Sequence, residues 1–422
     1  MDQVTGLRCL ICGKVYGPSE IDYVCPAHGD EGIVDVEYDY DLIRSRVSRE
    51  RPGDELGMWR YRSLLPVEVG SPVPPLLVGA TPLVESPRLA SEIGVGSVWV
   101  KDEGRQPTAS LKDRASAMAV VKAGEFGQTT ITTASTGNAA AALAGLCAAS
   151  GLRAVIFVPH AAPRGKVAQL LAYGATVLLV EGTYDQAFAM SMDAARLTGW
   201  YNRNTGFNPY MSEGKKTVAL EICEDLGWSA PDAIAVGVGD GCIIGGLHKG
   251  LRDLVALGWI DMMPRLIGVQ AEGSAFLAEA WRSGEDPLTK APIVAYTVAD
   301  SISAGLPRDR LKAMAAVVET GGAFVTVGDD EILAAIPEVA RLTGVFGEPA
   351  AAAAWAGARV AAADGLLGPS DRVVVLNTGN GLKDVGAAEQ AADAAGSSAM
   401  TVPAGREGLE MAMEMLTEVA GR

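Results

Sequence analysis

The residues that could do chemistry here are gathered in four short turns, and one of them holds a lysine in an unusual setting. Lys112 lies near the end of Asp102-Glu-Gly-Arg-Gln-Pro-Thr-Ala-Ser-Leu-Lys-Asp-Arg114, just after a Pro-Thr-x-Ser turn and at the start of a helical pattern. The positive end of a helix dipole disfavours a protonated amine, so a lysine there has a lowered pKa and attacks an aldehyde as the neutral base. On spacing alone it reads more readily as a solvated surface lysine beside Asp113. The other three turns also sit at the ends of short apolar runs. Ala134-Ser-Thr-Gly-Asn138 offers backbone N–H groups and hydroxyls to an anion, with Asn138 able to donate to a ring oxygen, or serves as a plain Ser/Thr helix cap. Gly237-Val-Gly-Asp-Gly-Cys242 allows successive amides to wrap a phosphate dianion without a cationic side chain, or packs as a tight turn. Asn377-Thr-Gly-Asn-Gly-Leu-Lys-Asp384 presents the Thr378 hydroxyl at a strand end, or is an ordinary Asn/Gly turn.

A second kind of chemistry is written at the N-terminus. Cys9-Leu-Ile-Cys12 is followed, after twelve residues, by Cys25-Pro-Ala-His28, with Gly13 and Gly29 directly after each pair. Two such knuckles supply four ligands, which close a tetrahedral zinc shell with no open position, so the site would be structural. Reduced cysteines in a surface arm are the alternative. Only two further histidines exist, His160 after a strand and His248 in a helical pattern, so a histidine-centred triad is poorly supplied. Neither a P-loop nor a dinucleotide fingerprint occurs, because the glycine turn at 237–242 lacks the third glycine at its proper spacing.

These turns need elements to position them. The chain has 422 residues, 49% of them apolar, enough for two or three domains with cores of their own. Its 35 basic against 51 acidic residues repel a phosphate backbone, which argues against nucleic acid. The first thirty residues include Asp2, Arg8, Lys14, Glu20 and Asp22 and no apolar signal-like run, so a cytoplasmic chain is expected. The longest uncharged stretch, 126–152, is too polar for a membrane span and reads as strand, loop and helix. Residues 35–70 look charged and irregular, ending at Pro72, Pro74 and Pro75. Beyond them, strand-like runs at 98–100, 129–133, 154–158 and 176–180 alternate with helical patterns such as 164–173 and 185–197. The same alternation returns at 233–236, 265–270, 323–327 and 372–377. An α/β protein with doubly wound parallel sheets is expected, with ligands at the strand C-termini.

In this order the turns resemble those of the fold-type II pyridoxal-phosphate enzymes, and most closely those of the threonine synthases. The resemblance spans most of the chain. It is carried by Trp59-Arg-Tyr-Arg-Ser-Leu-Leu-Pro66, Gly79-Ala-Thr-Pro-Leu83, Val100-Lys-Asp-Glu-Gly104 and residues 107–114. Gly165-Lys-Val-Ala-Gln169, Tyr173-Gly-Ala175, Gly347-Glu-Pro-Ala350 and residues 378–384 extend it. It implies a tryptophan synthase β-like α/β fold of two doubly wound parallel-sheet domains with pyridoxal 5'-phosphate in the cleft. A small zinc-ribbon-like extension would occupy 1–35, an arm and linker 36–75, and the catalytic body 76–422, with a smaller subdomain at about 115–210.

The resemblance makes Lys112 the Schiff-base lysine and catalytic base, and gives Asn138 the phenolic oxygen of the cofactor. Gly239, Asp240, Gly241 and Cys242 become the phosphate cradle, and Thr378 meets the pyridine nitrogen. Ser110, Ser135, Thr136 and Gly137 would bind a small amino-acid substrate, and Cys9, Cys12, Cys25 and His28 a metal, with His28 where a fourth cysteine is usual. The implied reaction is γ-elimination of phosphate from O-phosphohomoserine and addition of water at Cβ, giving L-threonine. A homodimer without nucleic-acid or membrane partners is implied as well. Ala109, Leu111 and Ala139 depart from the family's usual glycine, phenylalanine and threonine, and Cys242 from its threonine or asparagine. Two other readings stay open: a threonine or serine dehydratase or replacement enzyme on the same scaffold, and a non-catalytic binding protein. Any of Lys166, Arg164, Lys215 or Arg203 is a candidate for a substrate phosphate.

Overall fold

The computed structural model describes residues 1–135, 137–160, 162 and 164–420, with the backbone alone described at 164, 165 and 416–420. Among the described residues thirteen strands form three sheets. They are β1 (Val4–Cys9), β2 (Val15–Tyr16), β3 (Val34–Tyr38), β4 (Leu83–Glu85), β5 (Ser97–Asp102), β6 (Thr130–Ala134) and β7 (Arg153–Pro159). Then come β8 (Thr176–Val180), β9 (Tyr201–Asn202), β10 (Ala233–Gly237), β11 (Arg265–Ala271), β12 (Ala323–Val327) and β13 (Arg372–Asn377). The large sheet has the order β12-β11-β10-β13-β5-β4, all parallel except β4, and the second has the order β8-β7-β6-β9, all parallel. The expected α/β architecture with two parallel sheets is therefore present.

The reason lies in the strand sequences. β10 and β6 are buried along their whole length, because helices cover both faces of a parallel sheet. The alanine-rich helix Pro349–Ala363 shows how closely they pack. It lies over β10 to β13, and a Cβ on its Gly357 would come within 2.2 Å of Val269 on β11. Among the described residues no helix is long and apolar enough to cross a membrane.

The reading of residues 35–70 as irregular needs correction. β3 continues to Tyr38 and pairs with β1 in a three-stranded antiparallel sheet, and the helix Tyr40–Arg46 follows under an Asp39 cap. A 3-10 segment, Gly57–Leu64, then buries Met58, Trp59, Tyr61 and Leu64 in the main core. The charges that gave the stretch its irregular look sit on the outer face, paired locally as in Arg62 with Glu55 and Arg51 with Asp54. The apolar residues between them dock the segment on the body.

Candidate active site

Strand order brings the four turns to one place. β10, β13 and β5 are parallel neighbours, so their C-terminal ends carry the glycine turn, the Thr378 turn and the loop to Lys112 side by side. The second sheet adds the turn after β6, and beside it the end of β9. All four line one cleft of 470 Å³, as expected for the C-terminal edges of doubly wound sheets.

Lys112 opens the helix Lys112–Glu125, as the spacing predicted. Its loop is stitched to the neighbouring turn: Leu111 N–H donates to the Thr378 carbonyl at 2.9 Å, and Asn380 N–H to the Ala109 carbonyl at 3.0 Å. Asp113 is no solvated neighbour; it is buried and accepts from the Thr108 N–H at 2.7 Å. The Lys112 amine is held below its ordinary pKa chiefly by burial, with Arg203 adding to the effect while Cys242, Glu348 and Asp240 oppose it. Burial, which spacing did not reveal, is thus the leading cause. Ala109 has φ +67°, a left-handed conformation that favours glycine. The family's usual glycine at this position has its physical reason there.

Asn138 heads the helix Asn138–Ser150 and is buried. Ser135 does not act as a helix cap; its hydroxyl accepts from the Gly137 N–H at 3.1 Å, within the turn that lines the cleft. Thr136 lies outside the described residues. Ser110 is fully buried, and its hydroxyl has no partner among the described residues, yet it is absent from the cleft wall. In the glycine turn, a Cβ on Gly239 would lie 2.8 Å from Ile302, and one on Gly241 2.7 Å from Ala313 at φ +89°. At Gly239 and Gly241 the backbone runs too close to its neighbours to carry side chains, and the turn ends on the helix Cys242–Leu257 with the amides of 239–242 unpaired among the described residues. The Asp240 carboxyl accepts from the Arg308 N–H at 3.2 Å, so its backbone is what remains for an anion. Burial holds the Cys242 thiol well above its ordinary pKa, in the neutral form.

Of the cations considered from sequence whose side chains are described, Arg203 and Lys215 reach the cleft. Arg203 follows β9 directly, its N–H donating to the Thr132 carbonyl at 2.9 Å, and Lys215 lies on the helix Tyr210–Asp225. Both are at most 1% exposed and line the cleft. Neither forms an ion pair among the described residues. Among the described residues the Arg203 side chain bonds only to the Ser116 and Thr205 hydroxyls and one of its terminal nitrogens has no partner, while Lys215 reaches Thr205 at 3.5 Å. Burial brings Arg203 down to about 10 and Lys215 to about 8. Lys166 instead pairs with Asp300 at the rim, and the Arg164 side chain is outside the described residues. Glu348, quoted from sequence only inside a motif, also lines the cleft. Its place just before Pro349 at a helix start was the available signal.

Away from the cleft, ligand atoms of Cys9, Cys12, Cys25 and His28 lie within 4.8 Å of one another. Cys12 and Cys25 sulfurs are 4.0 Å apart, and the His28 Nδ1 is 3.5 Å from Cys25 and 3.7 Å from Cys9. A tetrahedron of zinc–sulfur bonds of about 2.3 Å has edges of about 3.8 Å, so the spacing fits that ion. His160 is exposed, and His248 is buried with its Nε2 3.2 Å from Glu319.

An amine, an amide, a hydroxyl and a bare amide cradle around one cleft fit an aldehyde-bearing aromatic phosphate, and relatives agree. Residues 75–379 match the family described as pyridoxal-phosphate dependent enzyme. The chain belongs to that family, and within it to the threonine synthases. It is 38% identical over 392 residues to threonine synthase of Methanocaldococcus jannaschii, covering 92% of this chain and 95% of that protein. To threonine synthase of Methanosarcina acetivorans it is 40% identical over 382 residues, 90% of this chain and 92% of that one. The fold is shared with a threonine deaminase from Solanum lycopersicum, with TM-score 0.64 and 23% identity over 75% of this chain and 88% of the other.

Proposed function

We propose that this chain makes L-threonine from O-phosphohomoserine, with pyridoxal phosphate held in the cleft. When bound, that cofactor draws electron density from the substrate Cα, which makes its proton removable. Lys112 supplies the amine that holds the cofactor aldehyde and, when free, the base that serves Cα and then Cβ; its lowered pKa keeps it ready. Asn138 donates to the phenolic oxygen, and residues 239–242 hold the cofactor phosphate. Thr378 offers the pyridine nitrogen a neutral hydroxyl, which does not favour a protonated ring and so suits elimination over transamination. Ser135 and Gly137, with Thr136 between them, take the substrate carboxylate.

The observation that carries a phosphorylated substrate is the pair of unmatched cations. Buried charges are ordinarily paired. Among the described residues Arg203 and Lys215 have no carboxylate partner, yet both face the cleft beside Lys112. A phosphate dianion arriving with the substrate supplies the missing countercharge, while the glycine cradle serves the cofactor. A dehydratase acting on threonine has no second anion for this pair. Assaying phosphate release from O-phosphohomoserine beside 2-oxobutyrate formation from threonine decides between them: the first should dominate, and dominance of the second contradicts the reading.

A cytoplasmic homodimer with one structural zinc per chain completes the proposal. Elemental analysis should find the metal stoichiometrically and lose it in Cys25→Ser; a zinc-free native protein would leave the knuckles without an ion.

A further inference from the structure

Glu348 lines the cleft but has no task in the chemistry above. Its N–H donates to the Gly379 carbonyl at 3.1 Å, which holds it against the Thr378 turn. The side chain is 3% exposed, and its Oε1 accepts a hydrogen bond from Asn138 Nδ2 at 2.6 Å. Gly379 makes room for this contact: a Cβ there would sit 2.4 Å from the Glu348 Oε1 and 3.3 Å from the Asn138 Nδ2. The charged groups that face Glu348 come from four elements, namely Lys112, Lys166, Lys383 and Asp300. None forms an ion pair with it among the described residues.

An asparagine amide has two N–H donors and one acceptor. With one N–H given to Glu348, the amide plane is fixed and a single N–H remains to serve the cleft. Resting on the reading that Asn138 meets the phenolic oxygen of pyridoxal phosphate, we propose that Glu348 is a positioning residue. Through Asn138 it aims the amide at that oxygen, and its own ionisation tunes how much negative charge the oxygen carries. Burial first, and then Asp300, push Glu348 up to about 7, against Lys112, Lys166 and the Asn138 bond. Below that value Glu348 is neutral; above it a carboxylate stands one amide away from the phenolic oxygen and opposes a second negative charge in a dry site.

The test is the visible absorption of the cofactor-loaded protein between about pH 6 and about pH 8. Wild type should change its band ratio with an inflection near 7. Glu348→Gln, which keeps an acceptor of the same shape, should bind cofactor and lose about nine-tenths of that change. Glu348→Asp retains a titrating carboxyl and should restore an inflection, so it serves where the glutamine variant does not fold. A wild-type spectrum that is flat over this range, or a glutamine variant that titrates like wild type, overturns the role of Glu348 and leaves the cofactor assignment standing. Failure of the wild type to form any chromophore defeats the underlying reading itself.

Discussion

Arg114 and Arg203 are both fully buried arginines, and their surroundings are opposites. Arg114 makes two-pronged contacts to Glu103 and Glu221 at 2.7 to 2.9 Å and a bond to Thr217, while Lys101 pairs with the same Glu221. Despite burial, those two carboxylates hold Arg114 well above its ordinary pKa. The Arg203 side chain has only hydroxyl partners among the described residues and falls to about 10. The same contrast separates neighbours on one helix: Lys216 pairs with Glu213 and Asp253, whereas Lys215 faces the cleft unpaired. A cation that builds the fold is matched on the spot. One left unmatched in a polar cleft is waiting for an anion that comes with a ligand.

The sharpest way to break this comparison is Arg114→Ala. It leaves the buried Glu103 without a cation among the described residues and Glu221 with Lys101 alone, and should cost about 3–5 kcal/mol, read as a large drop in the urea midpoint or as insoluble protein. An unchanged midpoint would show that the paired cluster is not structural. Next, Arg203→Met should leave the midpoint unchanged or raise it, because it removes a buried unmatched charge. Its effect belongs in KM for O-phosphohomoserine, which should rise about 10- to 100-fold for a lost charge-assisted bond of about 1.5–3 kcal/mol. A stability loss as large as that of Arg114→Ala would erase the distinction.

The pH dependence sharpens it further. Lys215, at about 8, is a cation below that pH and neutral above it. Affinity for a phosphorylated substrate should therefore fall as pH rises through 8, by about tenfold for one lost charge contact. Lys215→Met should bind weakly at every pH, and a variant that keeps the wild-type profile would assign the titration elsewhere. The smallest expected effect is Ala109→Gly, which relieves the φ of +67° and should stabilise the fold by about 1 kcal/mol in urea unfolding. No gain would mean that the turn stores no strain.

Much of the body was legible because buried parallel strands leave near-continuous apolar runs. The pattern at 154–158 falls within β7, and the one at 372–377 coincides with β13. The cleft turns were legible too, since glycine and Ser/Thr/Asn clusters at strand ends have few other uses. Three things escaped. β9 is two residues long, too short to show alternation, yet it fixes Arg203 beside the turn after β6. The segment around Trp59 hid its buried face among locally paired charges. Which of four basic residues reaches the cleft depends on rotation about a helix and on a strand order, neither of which is written in composition. Ser110 lies two residues from Lys112 in sequence, yet Lys112 lines the cleft and Ser110 is buried away from the lining.

The account stands on Lys112 as the amine that holds the cofactor. Reducing the pyridoxal-phosphate-loaded protein with borohydride, digesting it and locating the added mass tests this directly. The pyridoxyl group should be found on the peptide containing Lys112 and on no other; its recovery on Lys215, Lys166 or Lys383, or on no peptide at all, would contradict the account.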